Sequence, residues 1–165
     1  MSKTLTAILI DPFACEVKEI QLPDAHDASI LKAYYAALSH ETHPVTYFDA
    51  ARAGLLRGRD VIFVDDEGLL QPRQRYFLHV GYHMPLAGKG LIVGATRSGD
   101  AKSAETKLSE VQRCTVFLKV EGKHFVATTT PWTQKAAAIY VTHAGARGDD
   151  DTDADPDHSP INRPA

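Results

Sequence analysis

The chain has 165 residues, with 18 Lys and Arg against 21 Asp and Glu, 44% hydrophobic and 8% aromatic residues, and only two cysteines. That length suits one folded unit, and the apolar content excludes wholesale disorder. No stretch approaches the ~18 apolar residues of a membrane span, and two cysteines are too few for a disulfide framework.

The opening run Thr4–Ile10 reads as a strand closed by Asp11-Pro12, and Glu16–Leu22 as its hairpin partner. The first ten residues lack the basic and small-residue regions of a secretory leader, which predicts a cytosolic protein. Cys15 and Cys114 are then expected to be buried thiols. Asp27 is the expected N-cap of a helix from Ala28 to about Ser39, because Ile30, Leu31, Tyr34, Tyr35 and Leu38 form one apolar stripe. Pro44 stops it.

A short strand is expected over Val45–Phe48, then a brief helix or turn over Ala50–Leu56. The β-branched run Val61–Val64 predicts a strand. Asp65-Asp66-Glu67-Gly68 is turn chemistry, with Leu69-Leu70 opening a return strand. Arg75–Val80 and Leu91–Gly94 read as strands on either side of the Gly/Pro-rich loop Gly81–Gly90. A helix over Ser103–Val111 and a hairpin of Thr115–Val120 with His124–Thr128 follow. Pro131–Thr142 fits a strand or an Ala-rich helix equally, and Trp132 is expected to pack in the core.

The order predicts an α+β fold, a mostly antiparallel sheet with one main amphipathic helix packed on one face. The domain is expected to cover residues 1–144. Residues 145–165 carry six Asp against two Arg with almost no apolar residue, which predicts a disordered acidic tail. Without the tail the body is near neutral, which disfavours a grip on duplex nucleic acid.

Three constellations bear on chemistry. The pairs His40/His43 and His79/His83 have spacings that would present two imidazoles on one helix face, but neither sits on a credible helix. With Asp65 or Asp66, the pair His79 and His83 would make a metal-dependent hydrolase. Arg73 and Arg75, on one strand face, could fork onto a phosphate or carboxylate, against a background of neighbouring acids that would neutralise them. Gly88-Lys89-Gly90 precedes a strand instead of opening a helix, so it fails as a dinucleotide fingerprint. Tyr82, His83 and Met84 give that loop a soft, stackable rim suited to a planar base or a protein partner. No nucleophile elbow or Walker-type sequence is present.

The frame Asp60–Leu70, Gly81-Tyr82 and Pro85–Gly94, with Ile8–Pro12 and the Glu16–Leu22 strand, resembles a family of small uncharacterised proteins encoded on phages, plasmids and genomic islands. The resemblance spans roughly the first 100 residues and implies an accessory role, on host defence or DNA metabolism. The expected function is therefore a non-enzymatic, cofactor-free binding protein of a mobile element. It would take a host protein or a small phosphate-bearing, nucleotide-like ligand and self-associate through strand edges. Arg73, Arg75, Tyr82, His83 and Lys89 are the expected ligand-binding residues, and the metal-dependent hydrolase is the alternative.

Overall fold

The computed structural model describes residues 3–72 and 74–128. Arg73, the Pro131–Thr142 segment with Trp132, and the acidic tail lie outside the described residues. The α+β class with antiparallel pairing is what the structure shows, but the strands divide into two sheets. Among the described residues every ladder is antiparallel.

The larger sheet takes β1 (Thr4–Asp11), β2 (Glu16–Pro23), β3 (Phe48–Ala51), β4 (Val61–Asp65), β7 (Gly90–Ala95) and β8 (Ala101–Lys102). Its order is β2-β1-β7-β4-β3, with β8 added to β7. The smaller sheet takes β5 (Tyr76–His79), β6 (Leu86–Ala87), β9 (Thr115–Glu121) and β10 (His124–Ala127), in the order β10-β9-β5-β6.

Side chains alternate across a strand, so each face of the larger sheet has its own core. Leu5, Ala7, Leu9, Leu91 and Val93 face α1 (Ala28–Leu38), which buries Tyr34 and Leu38 against them. Ile8, Ile10, Ile62 and Ile92 face the other way. They meet Phe77, Leu86 and Phe117 of the smaller sheet and Val111 of α2 (Leu108–Cys114). Ile8 pairs with Ile92 and Ile92 with Ile62, a row of branched side chains at most 1% exposed. The unbroken apolar runs of β1 and β7 follow from this: central strands covered on both faces need no polar alternation.

Local patterns place most elements. Asp27 caps α1, accepting from Ser29 N at 2.8 Å, as expected. Four expectations change. Val45 is buried but off the ladder, its N–H bonded to Ser39 Oγ, and the strand runs instead from Phe48 to Ala51. Leu69-Leu70 forms no return strand: both edges of β4 are taken by β3 and β7, and Gly68–Leu70 makes one 3-10 turn with its leucines exposed. Gly68 packs closely in that turn, where a Cβ would stand 3.0 Å from that of Ala87. The second helix starts at Leu108, because Ala101–Lys102 pairs with β7 and Ala104 N bonds Thr6 O. The buried Asp60 holds that junction, accepting from Glu105 N, Thr106 N and Thr106 Oγ1 at 2.7 to 3.1 Å.

Cys15 is exposed, with φ of 53°, in the β1–β2 turn, which corrects the expectation of a buried thiol. Cys114 is half-buried, and desolvation pushes its thiol pKa up, away from reactive thiolate. No helix among the described residues is long and apolar enough to cross a membrane.

Candidate functional site

Three loops converge on a cleft of about 490 Å³, lined by Phe13, His40, Thr42, His43, Pro72 and Arg75. That volume falls in the range of small-molecule sites. Each wall has a local cause. Phe13 lies in the β1–β2 turn, where Asp11 Oδ1 accepts from the N–H groups of Phe13 and Ala14 at 3.0 and 3.2 Å. The other oxygen of Asp11 meets Lys89 Nζ at 3.4 Å, with both side chains largely buried. Lys89 therefore seats Phe13 through Asp11.

The second wall is the tight turn after α1. His40 and His43 exchange two backbone hydrogen bonds, 3.1 and 2.9 Å, around Glu41-Thr42. The ring of His40 stacks on Phe13, with centroids 4.0 Å apart and planes within 10°. His43, only 6% exposed, reaches the carbonyl of Pro72 through Nε2 at 2.7 Å. A carbonyl only accepts, so His43 Nε2 carries the hydrogen. Its Nδ1 meets Thr42 Oγ1 at 2.7 Å, and that hydroxyl also meets His40 Nδ1 at 3.0 Å. The third wall brings Arg75 beside Pro72. Its N–H bonds Gln74 Oε1, and among the described residues no carboxylate pairs with its guanidinium.

The other expected ligand residues are elsewhere. Tyr82 lines a second, smaller cleft of about 190 Å³ with Asp65, Asp66, Met84 and Pro85. His83 is exposed and tilts against Tyr82, centroids 4.5 Å apart. The Gly81–Gly90 segment is a rim only over its first half. Pro85, Leu86, Ala87 and Gly88 are buried, and Leu86–Ala87 pairs with β5. Gly88 has φ of 73°, and at Gly90 a Cβ would stand 2.5 Å from the Phe77 ring. Turn geometry and close packing account for both glycines without a phosphate.

The hydrolase constellation is not assembled. Among the described residues no group of three or more His, Cys, Asp and Glu side chains is placed to hold a metal ion. Asp65 is buried, and desolvation pushes its carboxyl pKa up, opposed by the Glu67 N–H at 3.0 Å. His79 lies on the strand face shared with Phe77, 1% exposed, opposite Thr115. Neither of its ring nitrogens has a partner among the described residues, and burial pulls its pKa down to about 4.

Phe13, Thr42 and Pro72 carry no signature of a site in the sequence, and His40 and His43 are not helical. Their spacing was the available signal, since a two-residue turn also brings positions i and i+3 together. Compared with family models, curated proteins and solved structures, the chain matches none.

Proposed function

We propose that the chain is an accessory binding protein that takes a small, planar, phosphate-bearing ligand in the Phe13–His40–His43–Arg75 cleft. The observation that carries this reading is Arg75: a guanidinium without an acidic partner among the described residues, in an aromatic-lined cleft of small-molecule size. A guanidinium offers a forked set of donors suited to phosphate, and the Phe13–His40 stack offers a flat apolar surface. The resemblance to mobile-element proteins supports the accessory role; no catalytic group enters the proposal.

The test is titration of the full chain with adenosine monophosphate and phenyl phosphate, followed by calorimetry and thermal shift. Arg75→Gln should weaken binding about tenfold to a hundredfold, the value of one charged hydrogen-bonding partner, while leaving the melting temperature of the free protein unchanged. Absence of binding, or equal binding by the variant, refutes the reading.

A further inference from the structure

Another cleft, of about 500 Å³, opens between α1 and the larger sheet, and it shares no lining residue with the Phe13–His40 cleft. Its helix wall is Ala28, Leu31 and Tyr34, which a spacing of three sets along one helix face. Its sheet wall is Val61 and Phe63 of β4 with Ala95 of β7. Tyr34 lies deepest, 5% exposed, with its ring 5.2 Å from that of Phe63 and 5.8 Å from that of Phe48. A buried tyrosine hydroxyl normally finds a hydrogen-bond partner. This one has none among the described residues, and desolvation pushes its pKa up to about 12, so it keeps its proton. Solvent still reaches that oxygen, unlike the sealed nitrogens of His79, and the cleft is the opening that Tyr34 lines.

The rim has a sign. Asp27, Asp100 and His26 are its charged or titratable groups, and no Lys or Arg lines the cleft. Asp27 caps α1, and its hydrogen bond with Ser29 holds its carboxyl below the usual carboxylate range. Asp100 Oδ2 accepts from Ser98 Oγ at 2.6 Å, and its Oδ1 stands 3.6 Å from His26 Nδ1. Two carboxylates against one imidazole leave the rim negative whether or not the ring is protonated. We propose that this cleft is a second ligand site, taking a small aromatic amine whose ring carries a hydroxyl. The ring lies against Leu31 and Phe63, where an aromatic face adds to the apolar contact. The ring oxygen pairs with the Tyr34 hydroxyl, which otherwise stays unpartnered at a cost. The ammonium stays at the rim beside Asp100, which would repel a carboxylate in the same place.

The test is an NMR titration of the full chain at pH 7.5 with tyramine, phenethylamine and 4-hydroxyphenylacetate. Tyramine should give saturable amide shifts at Ala95 and Ala101. It should bind about fivefold more tightly than phenethylamine, the value of one hydrogen bond. It should also bind about tenfold more tightly than the carboxylate probe. Tyr34→Phe should keep the melting temperature and bind tyramine and phenethylamine alike, and Asp100→Asn should narrow the preference for the amine. Equal binding of tyramine and phenethylamine by the wild type overturns the proposal, as does equal binding of tyramine and 4-hydroxyphenylacetate. Shifts confined to the Phe13–His40 cleft, or no saturable shifts, overturn it too. These wild-type comparisons decide the matter even where a variant fails to fold.

Discussion

His79→Leu replaces a sealed imidazole, with neither nitrogen partnered among the described residues, by an apolar side chain of similar bulk. A buried polar group left without a partner costs about 1–3 kcal/mol, so the variant should be more stable than the wild type by that order at pH 7.5. The folded-state pKa is held at about 4, against 6.5 for an ordinary imidazole. Above pH 6.5 the ring is neutral in both states and adds no slope. As the pH falls from 6.5 towards 4, the unfolded chain binds a proton that the folded chain refuses, and stability is lost. By pH 5 the loss amounts to about 2 kcal/mol, and it levels off below 4 at about 3 kcal/mol. Urea unfolding of both proteins at pH 7.5 and pH 5 isolates this contribution, because the carboxylates titrate alike in each. The stability gap should widen by about 2 kcal/mol at the lower pH. A gap that is the same at both values means that the ring is hydrated or partnered, and the reasoning fails.

Two further outcomes concern the frame around the cleft. Lys89→Met should lower stability by about 2 kcal/mol, since it leaves the largely buried Asp11 without its cation. It should weaken phenyl phosphate binding only by loosening Phe13; a direct phosphate contact would instead give lost affinity at unchanged stability. Gly90→Ala should cost about 1–3 kcal/mol in urea unfolding, because the added methyl meets the Phe77 ring and the Ile62 side chain; an unchanged midpoint would show that the sheets can part there freely.

What was legible in the sequence is what local chemistry determines. The apolar stripe and Asp27 mark α1, β-branched runs mark β4 and β7, and Glu121-Gly122-Lys123 marks the β9–β10 hairpin. The division into two sheets depends on which distant strands pair, and the strand patterns of β4 and β5 carry no label for that choice. The Leu69-Leu70 pair looks like a strand until both edges of β4 are known to be filled. The same limit applies to the cleft. Arg75 was visible as a cation, but that Lys89 would meet Asp11, and that Phe13 would lie on His40, follows only from the folded arrangement.

The position of β7 between β1 and β4 also shapes how the molecule comes into being. On the ribosome, the β1–β2 hairpin can close early from neighbouring residues, yet Ile8 must wait for Ile92 before the middle of the larger sheet exists. The smaller sheet waits longer still, for Phe117 to reach Phe77. Until those partners arrive, the strand edges that they cover stay unpaired, a topology of distant contacts that favours slow folding.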